Sequence, residues 1–380
     1  MPFYDFPESP TYEIVGEVLR KTSTGEKVYS LAIGEPSYDT PREITEAAYE
    51  GMKKGMTHYT SSLGIPEVRA AIVRKVKRKN GIICQEKHTI FISSKLAIYG
   101  ILVALRDRDG GEVLVPDPGY FYTEPAELAG LDPVPYTLDE DYGLDVDAIA
   151  SKITPSTRAI IINTPSNPTG RVYSRKSLKA LLELCRGKPL KIISDEAYED
   201  LVYQGKHVSL GSLEEEPVQV ISLFTLSKSY AMTGWRAGYI VAEENFVKRM
   251  GRFMDQAFTC FPPFIQHAST LALDSMDGRV EEFRKDLEKK REFTLERLKE
   301  VEGLHLNKVE GAFYMFPAFD SKRSSYEIAT SLLKEYNVAV LPGSVFGNKG
   351  EGHLRLSYSV SIETISEAMD RMRVFFSKTS

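Results

Sequence analysis

From Thr89 onward, short runs rich in Ile, Val, Leu and Phe alternate with longer amphipathic stretches. The runs Thr89–Ile92, Glu112–Val115, Arg158–Asn163, Leu190–Ser194, Val218–Phe224 and Gly238–Ala242 read as β-strands. Several are almost continuously apolar, as expected of strands covered on both faces. Helical patterns such as Arg175–Cys185 lie between most of them. This alternation predicts an α/β fold with a mostly parallel central sheet in three α/β/α layers. After Val280 the texture changes. A long charged helix is expected over Glu281–Val301, and strands Ala312–Pro317 and Val338–Leu341 bracket a helix at Tyr326–Tyr336. A strand at His353–Ser357 precedes a last helix at Ile362–Phe376. These elements predict a smaller α+β domain, to which the N-terminal segment is assigned. The expected division is 36–280 for the large domain, with 1–35 and 281–380 forming the small one.

With 380 residues, 42% of them hydrophobic, the chain can bury a large core and exceeds one simple domain. A net charge of -5 argues against nucleic acid as a partner, since a basic face is its usual footprint. There is no polybasic membrane patch and no apolar stretch near the roughly 20 residues that span a bilayer. The N-terminus lacks a basic segment followed by an apolar run, so no secretory signal is read, and a soluble cytoplasmic protein is expected. Cys84, Cys185 and Cys260 are far apart and form no CxxC pair, so neither a disulfide framework nor a structural zinc site is indicated. The histidines are scattered without metal-ligand spacing, and no metal is expected.

In open α/β sheets, ligands bind beyond the carboxyl ends of the strands. Polar clusters stand at those ends. Ser93, Ser94 and Lys95 feed an apolar helix pattern, an arrangement that suits either an anion site or a plain helix cap. TPSNPTG, containing Asn167, follows the third strand and reads equally as turn chemistry. Asp195 ends a strongly apolar strand, where a carboxylate is costly unless paired or capping a helix. Lys228 follows the fifth strand among hydroxyls, with Arg236 eight residues on and Gly234 and Gly238 around it. None of these clusters is decisive alone.

Together they carry a resemblance over essentially the full chain. TLSKSYAMTGWRAG is similar to the cofactor-attachment signature of class I/II aminotransferases, which are pyridoxal-phosphate (PLP) enzymes of fold type I. GEPSYDTP, HYTSSLGIPEVR, PDPGYFY, NTPSNPTG, SDEAYED and HLRLSYS resemble other family blocks, in the family's order. The resemblance implies that Lys228 carries PLP as a Schiff base, which needs an unprotonated amine and hence a lowered pKa. It places Asp195 beside the pyridine nitrogen, keeping the ring an electron sink. Tyr198, expected on a helical turn with Asp195, and Asn167 match the residues that hydrogen-bond the ring oxygen. The family often has a cis peptide at the matching proline, so Asn167–Pro168 is a cis candidate. The phosphate falls to backbone N–H groups near Ser94 and Lys95, to Thr225 and to Arg236. Tyr120 matches the stacking aromatic. Tyr59 matches a tyrosine that reaches the neighbouring subunit's site, which implies a homodimer. Arg355 matches the arginine for the substrate α-carboxylate, and Gly34 a backbone position over the substrate.

Two departures stand out: Thr225 occupies a position usually Ser or Gly, and Ser94 one usually Gly. The resemblance is strongest to the prokaryotic aspartate-using branch, in which a lysine matching Lys95 faces the distal carboxylate and hydroxyls corresponding to Ser9 and Thr11 lie nearby. It implies a ping-pong aminotransferase with aspartate as first-choice donor and 2-oxoglutarate as first-choice acceptor. Aromatic or other amino-acid aminotransfer, or a PLP-dependent β-lyase, are the alternatives.

Overall fold

A seven-stranded sheet runs in the order Thr89–Phe91, Gly238–Val241, Val220–Thr225, Lys191–Asp195, Thr157–Asn163, Glu112–Asp117, Asp132–Thr137 in the computed structural model, which describes residues 10–214 and 219–378. Only Gly238–Val241 runs against the others. The near-continuous apolar runs follow from coverage of both faces. In Thr157–Asn163, Ala159 and Ile161 enter one core while Ile160 and Ile162 enter another on the opposite side. Successive strand residues point to opposite faces, so both sets must be apolar.

The edge strand Asp132–Thr137 is absent from the sequence expectation. Its Pro133 and Pro135 demote it as a strand, yet Pro is tolerated where only one side of the backbone needs a partner. The helix expected at Arg175–Cys185 has those bounds, and the long helix runs Asp277–Lys299. The final helices are Ser325–Tyr336 and Ile362–Phe376.

A separate core joins Ile14, Val18 and Leu31 to Leu287, Leu332, Ile365 and Phe376. Its strands are shorter than expected. Ala312–Pro317 contributes only Tyr314–Met315; at its start Ala312 takes the left-handed conformation at φ 57°. Val338–Leu341 divides at Val340: Val338–Ala339 pairs with Tyr29–Ser30, and Leu341–Pro342 with Leu354–Ser357. The second pairing sets Arg355 opposite Leu341. Among the described residues no helix is long and apolar enough to cross a membrane.

Candidate active site at the carboxyl ends of the strands

A cavity of about 360 Å³ opens at these strand ends and is lined by residues of both cores. Strand Val220–Thr225 delivers Lys228 into it through a one-turn helix, Leu226–Ser229. Thr225 caps that turn, its hydroxyl accepting the Ser227 N–H at 3.2 Å. Lys228 Nζ donates to the Gly34 carbonyl at 2.7 Å. Burial, then the charges of Arg355 and Arg236, lower its pKa to about 8 against the opposing pull of Glu35 and Asp195.

Asp195 is the last residue of its strand and only 4% exposed. Tyr122 Oη donates to its Oδ2 at 2.8 Å, and the Ala197 N–H to Oδ1 at 3.1 Å. Burial nevertheless pushes its pKa up to about 6. The residues after Asp195 form a turn rather than the expected helix. The turn still delivers Tyr198 to the cavity wall, where its hydroxyl lies 2.8 Å from that of Tyr314. Asn163 braces the neighbouring loop: its Nδ2 donates to the Asp195 carbonyl and its Oδ1 accepts the Asn167 N–H at 2.7 Å. The Asn167–Pro168 peptide is cis, as are Thr164–Pro165 and Asp117–Pro118.

Also in the lining, Ser94 and Lys95 begin the helix Ser94–Leu105, whose free N–H groups and dipole favour an anion. Arg236 lines the same cavity at φ 57°, with Nη1 donating to the Thr233 carbonyl at 2.6 Å. Lys95 is exposed. Among the described residues neither Lys95 nor Arg236 has an acidic partner. Thr225, Ser227 and Tyr120 belong to the same lining.

Arg355 is 3% exposed. Its Nη2 donates to the Ala32 carbonyl and its Nη1 reaches Asn167 Oδ1 at 3.4 Å. Its Cζ stands 4.6 Å from the Tyr314 ring centroid and 5.2 Å from that of Phe346. Nε has no partner, and among the described residues no carboxylate pairs with this guanidinium. A buried cation so placed calls for an anion from outside the chain.

The fold therefore brings Lys228, Asp195, Tyr198, Asn167, Tyr120, Thr225, Arg236, Ser94, Lys95, Gly34 and Arg355 around one cavity, with Thr11 beside them. Tyr59 is not among them; it is 87% exposed, outside the lining. Ser9 lies outside the described residues. Sequence reasoning passed over Tyr122, Asn163, Ser227 and Tyr314. Tyr122 stands within PDPGYFY, two residues after Tyr120, but nothing in that spacing says that it meets Asp195. The fold also gathers Glu196, Glu199 and His207, with possible ligand atoms within 4.8 Å, despite their lack of metal-ligand spacing. The buried ammonium of Lys75 already pairs with Glu199 there.

The profile of the family described as aminotransferase class I and II matches residues 26–372. Aromatic-amino-acid aminotransferase 2 of Thermococcus litoralis is 42% identical over 357 residues, 91% of each chain. The aspartate aminotransferase of Pyrococcus abyssi is 40% identical over 355 residues, covering 91% of this chain and 90% of its own. Among solved structures, the Thermus thermophilus aspartate aminotransferase with maleate superposes with a TM-score of 0.91 at 33% identity, over 97% of each chain.

Proposed function

Because the chain belongs to the class I and II aminotransferases, we propose that it moves the amino group of a small dicarboxylic amino acid, aspartate first, to a 2-oxo acid, 2-oxoglutarate first, with PLP on Lys228. The observation that carries this reading is a lysine of pKa about 8 sharing one cavity with a buried arginine whose Nε is unpartnered.

The donor set fits PLP. The helix start at Ser94, the hydroxyls of Thr225 and Ser227, and Arg236 would hold its phosphate. Asp195 would meet the ring nitrogen, Tyr198 and Asn167 the ring oxygen, and Tyr120 the ring face. PLP supplies an aldehyde that takes up amines and a cationic ring that draws electrons from the carbon bearing the amine.

The chain's own groups do the rest. Arg355 binds the α-carboxylate through the N–H groups left free, and Asn167 steadies it. The Gly34 backbone borders the substrate, and Lys228 leaves its carbonyl when it turns to the α carbon. Lys228 Nζ takes the proton from that carbon; a pKa of about 8 lets it both accept and return a proton near neutrality. Asp195 stays ionised while the ring nitrogen is cationic, because the two charges compensate each other. One cavity can serve donor and acceptor in turn, as ping-pong kinetics require.

Lys95 supports a dicarboxylate, as an exposed cation in the lining without an acidic partner, with Thr11 beside it. The name of the Thermococcus litoralis relative and the aromatic lining from Tyr120, Phe121 and Tyr314 favour an aromatic amino acid as the second reading. The exposed Tyr59 supports a homodimer in which it reaches the neighbouring site. The core joining Ile14–Leu31 to Leu287–Phe376 supports a small domain of 1–35 and 281–380 against a large one of 36–280.

Borohydride reduction of the PLP-loaded protein should tag Lys228 in a peptide map. Mixing the loaded protein with single amino acids should then bleach its visible absorbance fastest with aspartate or glutamate. A tag on another lysine sinks the assignment of Lys228. Faster bleaching by phenylalanine or tyrosine selects the aromatic reading.

A further inference from the structure

Arg236 lines the cavity on an exposed side chain, so packing does not aim it. Its direction comes from the backbone of the turn between the one-turn helix Leu226–Ser229 and the strand Gly238–Val241. Two residues with side chains take the left-handed conformation there, Ala231 at φ 51° and Arg236 at φ 57°. Such backbone is unfavourable for a residue with a Cβ and persists only where its surroundings hold it. The hold comes from a distant loop. Thr40, two residues before the helix Arg42–Lys53, donates its hydroxyl to the Ala231 carbonyl at 2.6 Å. The same oxygen accepts the indole N–H of Trp235 at 3.0 Å. Neither direction is open to choice, because a carbonyl only accepts and an indole N–H only donates.

The Thr40 hydroxyl therefore joins Ala231 to Trp235 and closes the turn whose next residue is Arg236. Within the turn the Trp235 backbone N–H reaches the Met232 carbonyl at 3.3 Å, and Arg236 Nη1 reaches that of Thr233 at 2.6 Å. The Thr233 hydroxyl adds a bond to Glu35 at 3.2 Å, from the same loop as Thr40. Thr40 itself lies outside the cavity lining. Resting on the reading that Arg236 holds the cofactor phosphate, we infer that Thr40 is a positioning residue for that phosphate, its hydroxyl clipping the turn that presents the Arg236 guanidinium. A guanidinium bonds a phosphate through a planar fork, so what it contributes depends on the direction in which it arrives. With the clip open, Ala231 and Arg236 relax toward commoner backbone conformations and that direction is lost.

The test compares PLP with pyridoxal, which has the same aldehyde and ring but no phosphate. Dissociation constants of both are read by visible absorbance as stripped protein is titrated. An effect that passes through Arg236 touches PLP alone, whereas a clip that bore on Lys228 or on general stability would weaken both. Thr40→Val, of nearly the same shape without the hydroxyl, should bind PLP about tenfold more weakly and pyridoxal as the wild type does. Thr40→Ser, which keeps the hydroxyl, should restore wild-type PLP binding. Trp235→Phe removes only the indole N–H and should show the same selective loss at smaller size; it carries the test alone if Thr40→Val does not fold. In an Arg236→Ala background Thr40→Val should add nothing, because both changes act on one contact. Equal losses for PLP and pyridoxal, unchanged PLP binding in Thr40→Val, or a further loss on top of Arg236→Ala overturns the inference. Arg236→Ala protein that keeps the wild-type preference for PLP over pyridoxal overturns the placing of the phosphate at Arg236, and the inference with it. Wild-type protein that develops no absorbance with PLP overturns the cofactor reading on which both rest.

Discussion

Replacing Asp195 by Asn should stabilise the cofactor-free protein while abolishing transamination. The carboxyl is buried at a strand end, and burial, which disfavours its charge, pushes its pKa up from the usual 3.8 to about 6. A carboxyl whose folded pKa lies above its unfolded one binds its proton more tightly when folded. Its contribution is therefore fully favourable in acid and is lost as pH rises from about 4 to about 6. By neutral pH the folded protein carries a penalty of about 3 kcal/mol, using about 1.4 kcal/mol per pKa unit. An asparagine amide keeps the bond from the Ala197 N–H through Oδ1 without the charge, while its Nδ2 must donate to the Tyr122 hydroxyl, which turns to accept. Its second N–H, left unpaired, offsets part of the gain, leaving about 1–3 kcal/mol. For a chain of this length that corresponds to about 1–4 °C in melting temperature. The assay is thermal unfolding of PLP-stripped wild type and Asp195→Asn from pH 4 to pH 8. The gap should open between about pH 4 and 6 and stay flat above. Adding PLP should stabilise the wild type more than the variant, because only the carboxylate compensates a cationic ring nitrogen. A variant less stable than wild type at pH 7, or a gap independent of pH, would refute the reasoning.

Three further outcomes follow from the same geometry. The rate of PLP attachment to stripped protein should rise about tenfold per pH unit below about 8 and level off above, because only the neutral Lys228 amine reacts; stopped-flow absorbance reads this. A flat profile between pH 6 and 8 would count against the lowered pKa. Arg355→Ala should raise KM for every donor and acceptor, on the order of a hundredfold, since a buried charge contact worth about 2–5 kcal/mol is removed from all of them; an effect confined to one substrate would contradict its role. Lys95→Ala should weaken dicarboxylic substrates several-fold and leave phenylalanine unchanged, the small size reflecting its exposure to water. Equal losses for both substrates would assign Lys95 to the cofactor instead.

All but one strand of the central sheet was legible because the period of its apolar residues is a local property. Both faces of these strands are covered, so nearly every residue in them is apolar, and that pattern needs no knowledge of neighbours. Asp132–Thr137 escaped because an edge strand with two prolines has no such pattern; it exists only because Glu112–Asp117 offers it a free side. The residues of the small sheets were found but their bounds were not, since Val340 separates pairings with two different partners.

The same division holds for the cavity. Charged and hydroxyl residues placed just after apolar strands were visible as suspects, and the chain's motifs determined which family they resemble. What tertiary structure alone decided is which groups meet. Tyr122 lies 73 positions from Asp195 and Tyr314 lies 116 from Tyr198, yet both pairs are within hydrogen-bonding distance. The lowered pKa of Lys228 and the raised one of Asp195 likewise belong to neither residue; they are set by how much water the surrounding fold removes and which charges it leaves nearby. Residue type is written in the chain, whereas burial and encounter arise only when distant segments close around a common space.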